Sequence, residues 1–368
     1  MKRKVYEQLL EWKSQEHHKP LILNGVRQCG KTYVLKEFGR QEFDSLAYVS
    51  CDRNVNLQAI YSGDFDVARI IQGLSALTGV DIIPGKTLIF LDEVQAFPQA
   101  LEALKYFCED APEYHIVVAG SLLGVALHAG VSFPVGKVQT LRLFPMDFEE
   151  FLMAMGEEQL LKLMHSHDYE LMNAFHEKLK DLLRQYYYVG GMPEVVKAFA
   201  ENKLLNQVRS LQNEILSNYA SDFSKHAPSQ EVPRIDMVWQ SILGQLSKEN
   251  KKFVYGVLKK GGRAKEFELA IQWLVDAGLV YKITKVSKPE LPLKFYEDLS
   301  AFKLYLCDCG LMGAMLIRLP RRFFWVMRYL LNIKELLRNS MCCSSCLHPD
   351  CSIFIITVPI LLVWKWIF

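Results

Sequence analysis

The octapeptide GVRQCGKT at residues 25–32 constrains the fold of this chain more than any other stretch of its sequence. It satisfies the pattern GxxxxGK[ST] at every fixed position, with an apolar run at 21–24 before it and a helical pattern at 31–40 after it. Between a strand and a helix, such a loop turns its main-chain N–H groups inward, and the helix N-terminus adds partial positive charge. The sequence therefore predicts a loop that binds phosphate groups.

Each residue of this loop has a predicted part in holding a nucleoside triphosphate. Glycines at 25 and 30 permit the required backbone angles and the close approach of phosphate. The Lys31 ammonium is expected to reach the β- and γ-phosphates, and the Thr32 hydroxyl to bind Mg²⁺. The predicted phosphate-loop residues are Gly25, Val26, Arg27, Gln28, Cys29, Gly30, Lys31 and Thr32.

Two acidic residues follow a buried strand about 60 residues further along the chain. The run TLIFL at 87–91 is continuously apolar, which is typical of a parallel strand covered on both faces. Asp92 is predicted to hold Mg²⁺ through water, and Glu93 to polarise the attacking water as a general base. The alternative is that two acids simply begin a loop after a strand; the phosphate loop upstream favours the catalytic interpretation.

Ser121 and an arginine complete the predicted site. Ser121 follows the strand pattern at 115–119, where its hydroxyl is placed to sense the γ-phosphate; capping of the next helix is the alternative. An arginine is also expected near the γ-phosphate to stabilise transition-state charge. The candidates are Arg142, Arg184 and Arg234, and a surface or structural role is the alternative for each.

Strand patterns alternate with helical patterns through the first half of the chain. This alternation predicts an α/β fold with a parallel sheet and right-handed crossovers. The predicted strands are 21–24, 46–50, 87–91, 115–119 and 138–143, and the predicted helices are 31–40, 65–77 and 99–110.

The second half begins with helical patterns from 146 to about 218, broken by YYYVGGMPEVV at 186–196. A helix, the Gly261-Gly262 turn, a helix at 265–277 and two strand patterns then follow, which is the order of a winged helix. The predicted domains are a P-loop domain at 1–150, a helical lid at 151–228, a winged-helix domain at 229–316 and a tail without native fold at 317–368.

Five motifs, in order and spacing, resemble a family of prokaryotic AAA-type ATPases that pair a P-loop domain with a winged helix and a C-terminal domain similar to restriction-type nucleases. They are GVRQCGKT, LDEVQAFP, VVAGSLLG, FPVGKVQTLRLFPMDFEEF and YYYVGGMPEVV. The resemblance covers about residues 1–316 and implies ATP as the nucleotide, Lys31 and Thr32 in the phosphate loop, Asp92 and Glu93 as the acidic pair, and Ser121 as the sensor. The family usually has Pro and Val at positions 26 and 29, and often Arg where this chain has Lys137.

The resemblance stops abruptly after residue 311, and the composition changes. Residues 317–368 hold seven basic and two acidic residues, together with four of the nine cysteines. We interpret this tail as translated out of frame, because codons for 329–347 and 350–368 can be chosen so that a neighbouring frame reads like the family; a physical domain boundary is the alternative. A zinc cluster at Cys342, Cys343, Cys346, His348 and Cys351 and a membrane anchor at the apolar end are the less favoured interpretations.

Overall charge excludes a globally basic nucleic-acid binder, because 43 basic residues face 41 acidic ones. Any contact with DNA must rest on a local patch, and the segment 251–265 is the candidate with six basic residues and no acidic one. Glu266 and Glu268 directly after it are expected to repel DNA phosphates. The charged N-terminus has no apolar signal core, so we expect a cytoplasmic protein without a membrane partner.

These patterns favour a Mg²⁺-dependent ATPase that couples nucleotide state to movement of a winged-helix domain, with a homo-oligomer as a candidate assembly. Two alternatives remain: a nucleotide-gated module that binds DNA or protein without significant turnover, and a truncated product without function.

Overall fold

The computed structural model describes residues 1–121, 134–246, 252–288, 290 and 292–318. Within these residues the chain forms two compact units, Lys2–Leu143 and a second unit that begins at Phe144.

Strands and helices alternate along the first unit, as the sequence predicts. The elements are α1 (Val5–Ser14), β1 (Leu21–Gly25), α2 (Lys31–Glu42), β2 (Ser45–Ser50), α3 (Leu57–Ile60), α4 (Val67–Thr78), β3 (Thr87–Asp92), α5 (Pro98–Asp110), β4 (His115–Gly120) and β5 (Gln139–Leu143). All five strands lie within one residue of their predicted bounds, and the three predicted helices lie within two. Helix α1 was not predicted, although Val5, Leu9 and Trp12 recur at helical spacing and are buried.

The five strands form one parallel sheet in the order β2-β3-β4-β1-β5. Strand β4 lies between β1 and β3, with Asn24 in register with Gly120 and Leu91 with Val118. Because parallel strands end at the same edge of a sheet, the segments that follow β1, β3 and β4 meet there. The predicted α/β fold class is confirmed.

Helices cover both faces of this sheet, which explains the continuous apolar runs of its strands. On one face α4 and α5 bury Ile89, Leu91 and Val118 in a common core. On the other face Gly39 of α2 lies so close to the side chains of Leu46 and Leu88 that a Cβ atom there would come within 2.7 Å of Leu46 Cδ1. Every residue of β3 is buried, and the strand is a central strand of a three-layer structure.

An aromatic cluster packs α1 against the start of β4. The rings of His18 and His115 stack with centroids 3.8 Å apart, and Trp12 contacts both edge-on. Phe43 packs against His115 at 5.1 Å. Burial in this apolar cluster, followed by the nearby His18, lowers the pKa of His115 from its ordinary value of 6.5 to about 4.

Among the described residues of the second unit, helices extend to residue 246, and a further helix, a two-stranded ribbon and the helix at 309–318 follow. Its elements are α6 (Phe148–Ala154), α7 (Glu158–Ser166), α8 (Tyr169–Ala174), α9 (His176–Val189), α10 (Pro193–Asn202), α11 (Leu205–His226), α12 (Val232–Leu246), α13 (Ala264–Asp276), β6 (Val280–Val286), β7 (Glu297–Leu306) and α14 (Cys309–Arg318). The predicted break at 186–196 falls between α9 and α10, where Gly190 has a positive φ of 75°.

The Gly190-Gly191 turn is held by a buried carboxylate from the start of α14. Asp308 accepts hydrogen bonds from the main-chain N–H groups of Gly191 at 2.6 Å and Leu311 at 2.8 Å. Gln212 donates from α11 to the carbonyl oxygens of residues 188 and 189. A Cβ atom on Gly190 would lie 2.3 Å from Asp308 Oδ1, so the turn needs glycine for space as well as for its backbone angle. Burial raises the pKa of Asp308 to about 6.

Helices α12 and α13 pack together and lead into the antiparallel ribbon of β6 and β7. Phe223, Trp239 and Trp273 form an edge-to-face aromatic cluster that joins α11, α12 and α13. The order of helix, turn, helix and ribbon agrees with the predicted one.

Several sequence interpretations lie outside the described residues. These are the tail from 319 onward, its cysteine cluster and apolar end, and Lys251 of the basic segment. Among the helices that the structure does describe, none combines the length and apolar character needed to cross a bilayer. In the same residues no three His, Cys, Asp or Glu side chains are grouped as a metal site.

We predict that His115 makes the first unit less stable in acid. With a pKa of about 4 in the folded state and about 6.5 when unfolded, the imidazole stays neutral in the fold but is protonated in the unfolded chain as pH falls below 6.5. The unfolded state then binds more protons, so the free energy of unfolding should fall by about 3 kcal/mol between pH 7 and pH 4 from this group.

Urea unfolding at pH 7, 5.5 and 4 measures this loss. His115→Phe keeps an aromatic ring and has no proton to gain, so its curve should fall less steeply than that of the parent chain. Parallel curves for the two proteins would contradict the assignment.

Candidate nucleotide-binding site

The loop between β1 and α2 bends through left-handed backbone positions. Gln28 has a φ of 66° and Gly30 a φ of 94°, and Gly30 is the residue before the first turn of α2. The first N–H groups of a helix have no acceptor within it, and no side chain caps this one. The start of α2 therefore presents main-chain donors and the positive end of the helix dipole.

The loop rests on the end of β5. A Cβ atom on Gly25 would lie 2.3 Å from the carbonyl oxygen of Leu143, so only glycine fits at that position. The Cys29 thiol is fully buried and donates to the same oxygen at 3.6 Å. Val26 is buried as well, whereas Arg27 and Gln28 are half-buried. Gly25, Val26 and Cys29 thus shape the loop through packing.

Lys31 is turned back over the loop. Its Nζ donates to the carbonyl oxygens of Gly25 at 2.8 Å and Val26 at 3.0 Å, and the residue is only 7% exposed. Holding an ammonium group in a buried position is costly unless it is paired, and carbonyl oxygens meet part of this need. An anion in the loop would offer the full opposite charge.

Asp92 lies at the end of β3 and meets the phosphate loop directly. Its Oδ2 accepts hydrogen bonds from the hydroxyls of Thr32 at 2.8 Å and Tyr48 at 3.3 Å, and its Oδ1 from the main-chain N–H of Glu93 at 3.1 Å. Burial raises the pKa of Asp92, and the charge of Glu93 acts in the same direction, while the three hydrogen bonds oppose them.

Glu93 is held in a left-handed backbone conformation, with φ 51° and ψ 43°. Its Oε2 accepts hydrogen bonds from Gln95 Nε2 at 2.5 Å and from Ser121 Oγ at 3.5 Å. A non-glycine residue in this region carries strain, which persists only where the surroundings hold it. In the described part of the chain the buried Gln95 Oε1 has no hydrogen-bond partner.

These residues fit a magnesium nucleotide. The Thr32 hydroxyl and the Asp92 carboxylate are oxygen donors already within hydrogen-bond distance of each other, and Mg²⁺ prefers oxygen ligands and retains several waters. Lys31 and the free end of α2 supply the positive counterpart of a triphosphate. The structure brings together Lys31, Thr32 and Asp92, and it brings Glu93 to Ser121.

Tyr48 and Gln95 belong to this site and were not predicted. Tyr48 comes from β2, in register with Phe90, and the Lys36 ammonium lies 3.5 Å from its ring centroid. Burial raises the pKa of Tyr48, and the charge of Asp92 adds to this. The sequence signal for Tyr48 was a side chain with a hydroxyl group inside the strand pattern LAYVS. The signal for Gln95 was a polar side chain two positions after Glu93, in LDEVQ.

Of the three candidate arginines, one is exposed on a strand and two form ion pairs with nearby acidic residues. Arg142 lies on β5, and its side chain is exposed. Arg184 and Arg234, both in the second unit, pair with Asp181 and Glu231 one turn earlier in their own segments. Lys137, where the family often has Arg, pairs with Glu109 at 2.8 Å. These ion pairs agree with the structural alternative for Arg184 and Arg234.

Two family models match the chain. Residues 17–152 match an AAA domain, and residues 180–321 match a domain of unknown function, DUF8612. No curated protein sequence matches significantly.

Among solved structures, the Walker-type ATPase PABY2304 of Pyrococcus abyssi has a TM-score of 0.52 at 12% identity, over 86% of this chain and 95% of that one. The Orc1 protein of Aeropyrum pernix in complex with DNA (15% identity, 86% and 91% coverage) and a RuvB variant of Thermotoga maritima (15%, 76% and 87%) each reach only 0.31, too low to bear on this chain. The AAA match spans the phosphate loop and all five strands of the parallel sheet, and the likeness to the Pyrococcus abyssi ATPase supports the fold. Residues 17–152 are therefore similar in sequence to an AAA domain, and they have the α/β fold of a P-loop NTPase.

Proposed function

We propose that this protein binds ATP with Mg²⁺ and hydrolyses it. One observation carries the proposal: the 2.8 Å hydrogen bond from Thr32 to Asp92 joins the phosphate loop to the acidic end of β3, with Glu93 directly beside it. A loop of this shape without an acid partner would bind phosphate only. With both present, the chain has separate groups for the triphosphate, the metal and the attacking water.

The binding step uses the donors at the start of α2 and the Lys31 ammonium. In this proposal Lys31 exchanges its two carbonyl partners for phosphate oxygens, which gives its buried charge a full negative counterpart. Thr32 and Asp92 hold Mg²⁺, which when bound neutralises charge developing on the phosphate oxygens.

The chemical step uses Glu93 as the base. The Gln95 amide and the Ser121 hydroxyl fix one carboxylate oxygen, which leaves the other to accept a proton from water. Ser121 follows β4, the strand between β1 and β3, so its hydroxyl stands where a change at the γ-phosphate would reach Glu93. This geometry supports the sensor role for Ser121.

The proposal extends to the second unit, to the cellular location of the protein and to its assembly. The helix pair and ribbon support a winged-helix domain at 229–316, and we infer that nucleotide state alters the helical lid at 151–228 and this domain. The five cysteines of the described residues are free thiols, which fits the reducing cytoplasm. A homo-oligomer that supplies an arginine to the γ-phosphate belongs to the same proposal.

A second candidate function is nucleic-acid binding through the second unit. The basic side chains at the start of α13 and before it are all exposed: Lys252, Lys259, Lys260, Arg263 and Lys265. Glu266, expected to repel phosphates, pairs with Lys259 at 3.3 Å, which reduces its repulsion. Phe295 lies in the segment that connects β6 to β7, is 83% exposed and follows the exposed Lys294. The exposed positive charge favours the phosphate backbone of DNA, and the aromatic ring beside it adds an apolar contact surface.

We predict that Lys31→Ala weakens MgATP binding by roughly 100-fold, because a charge-assisted contact to the phosphates is lost. Equilibrium binding of a fluorescent ATP analogue measures the change. Lys86→Ala removes an exposed lysine of the same unit and should leave the affinity within about twofold. Equal affinities for all three proteins would show that the loop does not hold the triphosphate.

We predict that Glu93→Gln leaves MgATP affinity within about twofold of the parent and lowers phosphate release by at least about 100-fold. The amide keeps the size of the side chain but cannot accept the proton from water. Glu113→Gln, at an exposed position, is the matched control. Undiminished turnover in Glu93→Gln contradicts the base assignment, and a parent that binds ATP without releasing phosphate supports the module without turnover.

We predict that a labelled 20-bp DNA duplex is bound at 50 mM salt and released as salt rises. In fluorescence anisotropy, Lys260→Ala combined with Arg263→Ala should weaken binding and reduce the slope of log K against log salt by about two. Lys86→Ala serves again as the control. The absence of salt-dependent binding in the parent at 50 mM rejects this second function.

A further inference from the structure

Arg3 lies two residues before α1 and is buried, with 7% of its surface exposed. Its Nη1 donates a hydrogen bond of 2.9 Å to the carbonyl oxygen of Cys29, 26 residues later and inside the phosphate loop. A guanidinium is rarely buried, because removing its charge from water is costly unless it gains strong partners. One of the partners that Arg3 has gained is the backbone of the loop itself.

The Cys29 carbonyl belongs to the peptide that ends in the N–H of Gly30. In a planar trans peptide the C=O and N–H bonds point in opposite directions. When Arg3 holds the oxygen towards the protein interior, the N–H of Gly30 must point away from the interior. The buried Cys29 thiol, which donates to Leu143, fixes the same residue from its side chain.

This peptide has an alternative orientation that would harm phosphate binding. Gly30 has a φ of 94° and no Cβ atom, so rotation of the preceding peptide meets little steric resistance. A peptide rotated by half a turn would present a carbonyl oxygen, which repels phosphate, in place of a donor. The permissive glycine that shapes the loop thus leaves the direction of one donor to be set by other groups.

We propose that Arg3 is a positioning residue for the phosphate loop, which orients the Gly30 amide towards the phosphates by holding the Cys29 carbonyl. The inference rests on the proposed function, because it assigns Arg3 a part in the same site. In this proposal Arg3 acts through the loop backbone by way of the Cys29 carbonyl, so its contribution should be the same for any ligand that carries the polyphosphate.

This last feature makes the proposal distinguishable from a contact with the nucleoside. Arg3→Met keeps the length and apolar stem of the side chain and removes the donors, and Arg3→Lys keeps the charge with a single donor group. Lys2→Met removes an exposed positive charge one position away and controls for charge alone. The probes are a fluorescent ATP analogue with Mg²⁺ and inorganic tripolyphosphate as its competitor.

We expect Arg3→Met to lower the affinity for both probes by about tenfold or more and to the same extent, since a charge-assisted hydrogen bond is lost from the loop. Arg3→Lys should recover part of the affinity, and Lys2→Met should stay within about twofold of the parent. The N–H resonance of Gly30 in ¹⁵N-glycine-labelled protein should shift in Arg3→Met and stay in place in Lys2→Met, which a general loss of stability would not produce.

Three results overturn the inference. The first is that Arg3→Met binds both probes as tightly as the parent. The second is that Arg3→Met loses affinity for ATP but retains it for tripolyphosphate, which would indicate a contact with the nucleoside. The third is that Lys2→Met loses as much affinity as Arg3→Met, which would mean that only the positive charge matters. If Arg3→Met does not fold, Arg3→Lys carries the test, and affinity equal to the parent with an unshifted Gly30 resonance rejects the role. A parent that binds neither probe rejects the proposed function itself.

Discussion

The hydrogen bond between Thr32 and Asp92 is the contact on which the site depends. It joins two segments 60 residues apart, and it exists because β4 alone separates the strands that precede them. A parallel sheet ends all its strands at one edge, so the loop after β1, the acids after β3 and Ser121 after β4 converge without further devices. The sheet thereby supplies distances that no local segment could set.

Around this contact the chain places charge in unfavourable surroundings. Lys31 is buried against carbonyl oxygens, Asp92 has a pKa raised by burial, and Arg3 is buried behind the loop. Burying each of these charges costs free energy, and a bound group of opposite charge would offset that cost. In the proposed function, preorganised charge of this kind would bind a magnesium triphosphate without much rearrangement and stabilise charge that develops during the reaction.

Much of the first unit could be predicted from sequence because its signals are local. Apolar runs such as 87–91 indicate buried strands, and the pattern GxxxxGK[ST] identifies the loop residues from Gly25 to Thr32 directly. Tyr48 and Arg3 could not be found in this way, because each acts across the fold: Tyr48 through strand pairing and Arg3 through a contact 26 residues away. In the second unit, the Gly190-Gly191 break was visible, whereas its dependence on Asp308, more than a hundred residues later, was not.

At Glu93, which has a left-handed backbone conformation, the stability of the fold and the need for a carboxylate favour different residues. Glycine there would relieve the strain and make the folded chain more stable, yet it would remove the carboxylate. A chain under selection for durability alone would drift towards glycine at residue 93. A glutamate in this strained conformation therefore agrees with the proposed chemical role of its carboxylate, which glycine could not fill.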